Sequence, residues 1–315
     1  MRRALLSWTL VIAFLAAGFG ASVLALNGDV YSAHGFVRSY LETLARKNAD
    51  EALAFAGVVA PASESGILLT DDAMGDIADI HYLSDVETAG VHTVTFSYQL
   101  STGLAATTFT VSRVGTSFGL FATWRFAASP LANLAVTVLH DSRFTANGLP
   151  ATGDDTYAVF TPGLYDLGHE TEYLTARTLA VPVTEVGSTV DAEVDVEANG
   201  TFERAASHAV ASFLDSCATQ QVLMPTGCPF GFEEANRIEG LPEWSMVGYP
   251  TITLEPSDTV GVWNGTSTKS SVKIKVAVRS LFDGSTTTVN QDVQFTGTYR
   301  ITVAADDTLS VSAQL

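Results

Sequence analysis

One segment of the sequence has the spacing of a catalytic nucleophile. Gly115-Thr116-Ser117-Phe118-Gly119 matches the Gly-x-Ser-x-Gly pattern of hydrolases, in which a sharp turn between a strand and a helix exposes the serine. Here strand-like sequence lies on both sides of the segment, and its glycines are typical of a hairpin turn. We therefore predict a hairpin turn at this position and no nucleophile.

A second segment, His140-Asp141-Ser142, contains the residue types of a catalytic triad. Neighbouring side chains on a strand point to opposite faces, and triads are assembled in space rather than by adjacency in the sequence. We therefore expect these three residues to lie at the surface. The six histidines of the chain include no pair that is separated by the three or four positions of a metal site.

Acidic residues alternate with apolar ones from Asp191 to Glu197. On a strand, this alternation places four carboxylates on one face, which predicts a solvated surface. The residues from Asp195 onward also resemble the start of a calcium loop, but the acidic residue that such a loop needs at position twelve is replaced by Ala206. We expect no metal ligands here.

The two cysteines, Cys217 and Cys228, are separated by ten residues. This spacing predicts one local disulfide in an exported protein, and closing so short a loop stabilises by about 3 kcal/mol in the chain-entropy model. Two free thiols or a metal pair are the alternatives. Neither cysteine has a nearby histidine or further cysteine that would complete a tetrahedral metal site.

The first residues combine a positive charge with a long apolar run. Ala4 to Leu26 contains no charged residue and directly follows Arg2 and Arg3. A helix needs about 20 apolar residues to cross the hydrocarbon core, and arginines before it favour a cytoplasmic N-terminus. We predict a membrane anchor over 1–28 with the bulk of the chain extracytoplasmic. The alternative is secretion after cleavage of a signal peptide at the small-x-small pattern Val23-Leu24-Ala25.

The composition limits the partners of the exported part. Asp and Glu total 34 against 16 Lys and Arg, and the formal net charge is −18. Such a surface repels nucleic acid, which we exclude as a partner, and attracts cations or positively charged polymer segments. Charged residues make up only 16% of the chain, below the roughly 25% that is usual for soluble proteins, and the remaining composition favours strands and turns.

The periodicity predicts a helical region followed by strands, then an all-β region, then a second helix followed by strands. Residues 32–57 are predicted to be helical, with Ser32 as the cap of the first helix and Asp50 as the cap of a second one. Strands follow to Ala127, and Ser129-Pro130 is the predicted boundary. Residues 130–200 are predicted to be all-β. A helix from Phe202 to Leu214 and further strands form the region 201–315.

The segment from Phe36 to Leu53 resembles the first helices of NTF2-like (cystatin-like) domains in exported bacterial proteins. The turns in Phe144–Gly148 and Phe160–Tyr165 resemble those of a small β-domain that occurs in the same proteins. The whole order is similar to the single-pass actinobacterial proteins related to the teicoplanin-resistance-associated membrane protein. The cytoplasmic Cys-x-x-Cys zinc ribbon that many of these proteins carry is not found in this sequence.

The resemblance implies a β-rich α+β fold with two NTF2-like units, over 29–129 and 201–315, on either side of a small all-β domain over 130–200. It also implies a cell-envelope protein without established catalysis. We therefore predict binding or scaffolding, with a cell-wall polymer or another envelope protein as partner. No catalytic residues and no cofactor are predicted.

Two further functions stay open as alternatives. One is a small-molecule enzyme or ligand carrier that uses an NTF2-like cone pocket. Fold analogy suggests residues that would line such a cone, but nothing else in the sequence distinguishes them: Asp76, Asp79, His81, Tyr82 and Tyr98. The other is a calcium-dependent adhesion module, based on the segment that begins at Asp195.

Overall fold

The computed structural model describes residues 2–61, 66–153, 155–304 and 306–314, and side chains from residue 12 onward. The chain is α+β and rich in strands, which contain 48% of its residues against 20% in helices, and it includes a nearly closed, barrel-like sheet. The β-rich α+β class predicted from the sequence is therefore confirmed.

The chain forms two compact units. Unit 1 contains Met1–Thr137, Arg143–Gly168 and Thr178–Val194, and unit 2 contains Val138–Ser142, His169–Arg177 and Asp195–Leu315. The three exported domains expected from the sequence, with boundaries after residues 129 and 200, stay a prediction, and so do the NTF2-like units.

The first helix of unit 1, α1, spans Arg2–Gly28, and only its backbone is described before residue 12. Among the residues with described side chains, no single helix is both long and apolar enough to cross a membrane. Ile12–Gly28 and Ala33–Ala45 meet that condition only together, as a pair bent by 58°. The second member of this pair packs into the core of unit 1, as described below. Arg2, Arg3 and the first part of the predicted anchor lie outside the described side chains.

Two short helices follow: α2, which spans Ala33–Ala45, and α3, which spans Ala49–Leu53. The Ser32 hydroxyl accepts a hydrogen bond from the Gly35 amide at 3.0 Å, so the predicted cap of α2 is confirmed. The predicted cap of α3 was wrong. Asn48, rather than Asp50, accepts the hydrogen bond from the Glu51 amide, because Asp50 already lies inside the helix.

An antiparallel sheet with the strands in sequence order covers these helices: β1 Ala78–Thr88, β2 Val91–Leu100, β3 Gly103–Ser117 and β4 Phe121–Phe126. The first residue of β2, Val91, pairs with Ser112 in the long strand β3. Because β3 continues to Ser117, the hairpin that it forms with β4 extends beyond the β1–β2 turn. A hairpin turn lies within the segment 115–119, as the sequence predicted, but it contains Phe118 and Gly119, because Gly115 and Thr116 still belong to β3 and pair with β4.

The core of unit 1 lies between α2 and this sheet. On α2, Val37, Tyr40, Leu41 and Leu44 are fully buried, as the helical spacing of these residues requires. They meet apolar residues of the sheet that are equally buried: Val94, Phe96, Tyr98, Phe109, Val111 and Phe126. Side chains therefore pack the core between α2 and the sheet, and an open groove of about 570 Å³ lies at its edge, between α2 and β4.

A seven-stranded sheet uses the middle of the chain: β5 Leu131–Leu139, β6 Arg143–Ala146, β7 Leu149–Thr152, β8 Asp155–Phe160, β9 Gly163–Glu170, β10 Leu174–Val183 and β11 Thr189–Ala198. Its order is β7-β6-β9-β10-β11-β5-β8. Asn147 and Gly148 form the two-residue turn between β6 and β7, and both have the positive φ that such a turn requires.

In unit 2, α4 spans Gly200–Ala218 and Asn199 caps it by accepting hydrogen bonds from two amides. The disulfide between Cys217 and Cys228 that was predicted from the sequence closes the loop after this helix. Two four-stranded sheets complete the unit: β12 Arg237–Ile238, β13 Glu243–Met246, β16 Ser270–Arg279 and β17 Thr286–Phe295 form one, and β14 Ile252–Pro256, β15 Val262–Ser267, β18 Thr298–Val303 and β19 Leu309–Gln314 form the other.

Candidate functional site

The candidate site is a polar cleft of about 490 Å³ in unit 1. Its polar side chains come from six separate parts of the chain: Lys47 after α2, Asp72 and Asp76 before β1, Ser101 after β2, Thr145 and Asn147 on and beside β6, Asp166 on β9, and Thr178 on β10. We call this set of residues the polar cleft.

Asn147 holds the walls of the polar cleft together. Its Nδ2 donates to the carbonyl oxygens of Ala73, at 2.7 Å, and Leu164, at 3.0 Å. Its Oδ1 accepts a hydrogen bond from the Asp166 amide at 2.8 Å. The sequence marked this asparagine only as a turn residue. In the structure, its side chain joins β9 to the segment that precedes β1.

The segment that precedes β1 begins with a short 3-10 helix, Asp71–Ala73, and is fixed at two further points. The Asp71 Oδ1 accepts a hydrogen bond from the Ala49 amide at the start of α3, at 2.6 Å. Gly75 lies so close to β9 that a Cβ atom at this position would meet the Leu164 carbonyl oxygen at 2.3 Å. Only glycine fits there, which brings the backbone beside Asp72 and Asp76 against the sheet.

The charges of the polar cleft are three carboxylates, Asp72, Asp76 and Asp166, and one ammonium group. Lys47 Nζ lies 2.7 Å from Asp76 Oδ1, and both side chains are largely exposed. An exposed pair of this kind contributes little to stability, so its carboxylate can exchange partners readily. The cleft therefore carries a net negative charge and offers hydroxyl groups from Ser101, Thr145 and Thr178.

This arrangement can bind a polar ligand. Exposed carboxylates and hydroxyls can accept or donate several hydrogen bonds to a polar ligand, and the carboxylates attract ammonium groups. Within the described part of the chain, no three His, Cys, Asp or Glu side chains lie close enough together to hold a metal ion.

The residues suggested for a cone pocket do not converge. Asp76 lies in the polar cleft, whereas Asp79, His81 and Tyr82 are exposed on or beside β1. Tyr98 is buried in the core of unit 1 and its hydroxyl lies 2.6 Å from Thr107 Oγ1. Burial raises the pKa of the Tyr98 phenol, while the hydrogen bond with Thr107 lowers it to a smaller extent.

The segment His140-Asp141-Ser142 differs from the expected surface position. Asp141 is buried, and its Oδ2 lies 3.8 Å from Nε2 of the equally buried His169. His140 is half-buried, and its Nδ1 lies 3.1 Å from the Val196 carbonyl oxygen and 3.4 Å from Asp195 Oδ1. The expectation failed because a distant strand supplies the histidine that accompanies the aspartate, and local sequence does not show that pairing.

The acidic strand behaves as predicted. On β11, the side chains of Asp191, Glu193, Asp195 and Glu197 are exposed, and the apolar residues between them are buried. The segment from Asp195, kept as the alternative of a calcium loop, is the end of this strand followed by the capped start of α4, since Asn199 uses its side chain to cap the helix.

The sequence did not identify the polar cleft. Lys47, Asp72, Asp166 and Thr178 have no common spacing, and they meet only because the sheets bring distant segments together. The sequence had singled out Asn147-Gly148 only as a turn, and Asp76 only as a residue of a cone pocket. No protein-family model, curated protein or solved structure shows significant similarity to this chain.

Proposed function

We propose that the chain is an extracytoplasmic binding protein of the bacterial cell envelope, attached to the membrane through α1. The polar cleft would hold a segment of a cell-wall polymer that carries hydroxyl and ammonium groups. The observation that supports binding most directly is the convergence of three carboxylates and three hydroxyl side chains in this cleft.

The proposed attachment is supported by the surface of α1. Phe14, Leu15, Phe19 and Leu24 are each at least 60% exposed, which is costly for a helix in water and favourable in hydrocarbon. The arginines in its first turn favour a cytoplasmic N-terminus. The disulfide of unit 2 is compatible with an oxidising, extracytoplasmic compartment.

Secretion after cleavage is the alternative to a retained anchor. Mass spectrometry of the intact chain from the membrane fraction of an expressing bacterium tests it. We expect the mass of a chain that retains α1, and a product that begins directly after Ala25 would contradict the retained anchor.

Binding is proposed in preference to catalysis because the residues suggested for a catalytic cone lie apart and the core between α2 and its sheet is packed with buried apolar side chains. The proposal of an NTF2-like domain in unit 1 is supported by its elements, since α2 and α3 pack against an antiparallel sheet. The corresponding proposal for unit 2 rests on α4 and the sheets that follow it.

The ligand class is tested with soluble peptidoglycan fragments that carry free amino groups. We expect isothermal titration calorimetry to detect binding to the full chain in detergent, and acetylation of the amino groups to weaken it at least tenfold. Replacing Asp72, Asp76 and Asp166 by asparagine should have a similar effect, because the carboxylates that attract the ammonium groups are lost.

A matched control removes the same charge from another surface. Asp191→Asn, Glu193→Gln and Glu197→Gln together change three exposed carboxylates on β11 and leave the polar cleft intact. This variant should bind as the original chain does. Equal losses in both triple variants would show that total charge, rather than the polar cleft, drives binding, and the proposal would be wrong.

A further inference from the structure

The tip of the hairpin between β3 and β4 exposes apolar side chains. Phe118 is 91% exposed, and Val114 and Leu120 on either side of it are also exposed. Phe118 and Gly119 both have positive φ angles, 52° and 69°. This conformation is unfavourable for a bulky residue, yet phenylalanine occupies it with its ring in solvent.

The tip also extends well beyond the rest of its sheet. The last position at which β2 supports β3 is Ser112, which pairs with Val91, and β3 continues for five residues to Ser117. At the rise of a β-strand, five residues correspond to about 17 Å. The tip is therefore a projection from unit 1 and not part of its packed surface.

The C-terminal end of α1 is bonded to the base of this tip. Asn27 Nδ2 donates to the Leu120 carbonyl oxygen at 2.7 Å, and Asn27 Oδ1 accepts from the Ala122 amide at 2.9 Å. The side-chain amide of Asn27 thus forms hydrogen bonds with the backbone on both sides of Phe121. A turn earlier on the same face of α1, Val23 is also half-buried.

The contacts after Asn27 give the relative direction of helix and hairpin. The Tyr31 ring stacks on Phe121 with 4.4 Å between centroids, and its carbonyl oxygen accepts from Trp124 Nε1 at 2.8 Å. From Asn27 to Tyr31, the chain therefore advances along β4 away from the tip. Because Asn27 is bonded on both sides of Phe121 and α1 contacts β4, the last turn of α1 lies beside the base of the tip.

The charge around the tip also differs from the rest of the chain. Although the chain contains 34 Asp and Glu, the 53 residues from Thr88 to His140 contain none. All of β2, β3 and β4 lie in this stretch, and its only charged residues are Arg113 and Arg125. Such a surface is not repelled by anionic lipid headgroups, unlike the acidic remainder of the chain.

We propose that Phe118 and Leu120 insert into the outer leaflet of the membrane beside the end of α1. The hairpin is then a second membrane contact, and it fixes the orientation of unit 1 on the bilayer. The apolar surface of the tip adjoins that of α1 close to the end of the uncharged run, Ala4 to Leu26. Lipid is therefore the occupant that we assign to it. Tyr31 and Trp124 lie near the end of this run, where such residues are enriched in membrane proteins. This inference rests on the proposed attachment through α1.

Spin-label accessibility in the full chain tests the inference. Single cysteines are introduced by Phe118→Cys, Leu104→Cys or Phe19→Cys, and the disulfide of unit 2 is kept. Each labelled chain is reconstituted in vesicles of phosphatidylcholine and phosphatidylglycerol. Leu104 is the matched control because it is 75% exposed and lies at the opposite end of β3. Position 19 reports on α1.

We expect the ratio of oxygen to nickel-chelate accessibility at position 118 to exceed that at position 104 by at least threefold, and to be highest at position 19. If position 19 lies in lipid and position 118 is as aqueous as position 104, the hairpin inference is overturned and the attachment stands. If position 19 is aqueous, the attachment itself is wrong, and the inference fails with it.

A second measurement excludes insertion by the label alone. In the chain that carries Phe118→Ser and Leu120→Ser, a label at Val114→Cys should become more accessible to the nickel chelate than the same label in the chain with both apolar residues. Circular dichroism should be unchanged, because both side chains are exposed in the fold. An unchanged accessibility at position 114 would contradict the role of Phe118 and Leu120.

Discussion

The two units fix their irregular segments by different means. In unit 2, a disulfide between Cys217 and Cys228 closes the loop after α4. In unit 1, the side-chain amide of Asn147 joins β9 to the segment before β1 through three hydrogen bonds. A disulfide bond stays closed when the pH changes or a neighbouring residue is replaced. The hydrogen bonds of the Asn147 side chain, which we call the amide link, persist only while the surrounding core stays packed. Unit 1 should therefore be the more sensitive to changes that reach its interior.

High pH should give the largest difference in stability between the two units. Burial raises the pKa of Tyr40 well above its ordinary value of 10.0, and the nearby Tyr165 raises it further, while burial also raises the pKa of Tyr165. An acid whose pKa is raised by folding stabilises the fold fully below its unfolded pKa, and this contribution is lost as pH rises above about 10 toward the folded pKa. Unit 1 should lose its structure first in that range.

Hydrogen-exchange mass spectrometry after brief exposure to pH 9 and pH 11 measures this difference, because its peptides report on each unit separately. Peptides from α2 and β2 should lose protection at pH 11 before those from β16. The variant Tyr40→Phe should delay the loss, since it removes one phenol that must otherwise ionise. Loss of protection in unit 2 before unit 1 would show that the buried tyrosines do not control the transition.

Removing the disulfide should make unit 2, rather than unit 1, the first to lose its structure. The double substitution Cys217→Ser and Cys228→Ser should lower the free energy of unfolding of unit 2 by about 3 kcal/mol, the chain-entropy value for so short a loop. Urea unfolding followed by exchange of α4 peptides measures it. Peptides from unit 1 serve as the internal control, and an equal loss in both would contradict a local effect.

Removing the amide link should have a somewhat smaller effect. Asn147→Ala leaves two carbonyl oxygens and one amide without their partner. It also places alanine at a positive φ angle, which asparagine tolerates better. The expected loss is about 2 kcal/mol in unit 1. Asn147→Gly is the matched control for the backbone conformation, because glycine accepts positive φ freely. If both variants lose the same free energy, the lost hydrogen bonds account for the whole effect.

The smallest expected effect is that of a helix cap in unit 2. Asn199→Ala removes the hydrogen bonds that the side chain accepts from the Thr201 and Phe202 amides, and should cost about 1 kcal/mol. Thermal unfolding with exchange readout on α4 measures it. Asn199→Ser keeps a capping oxygen and should restore most of the stability. A loss above that of the disulfide variant would show that the cap, and not the covalent bond, dominates unit 2.

The difference between the two links also explains how much of the molecule could be predicted. The disulfide was predictable because the chain contains only two cysteines, and the exposed face of β11 because acidic and apolar residues alternate along it. The cap of α2 was predictable from Ser32 and the helical spacing that follows. These features depend on residues close together in the sequence, so local periodicity and spacing reveal them.

The remaining features depend on pairing in space. Asp141 is buried beside His169, which lies 28 positions further along the chain, and nothing near Asp141 indicates this neighbour. Asn147 was recognisable as a turn residue, but its bond to the Ala73 carbonyl oxygen follows from the sheet order. The polar cleft combines six segments for the same reason. Its residues could be identified only after the strands had been placed.

The bonding of Asn27 has a consequence for how far the protein can reach. Only residues 29–32 separate α1 from α2, and Asn27 and Tyr31 are already held against β4, so unit 1 has no slack tether. A protein on a flexible linker searches a volume that grows with linker length. With the proposed attachment through α1, unit 1 would stay at a constant height above the membrane, so that the proposed wall polymer would have to come to it.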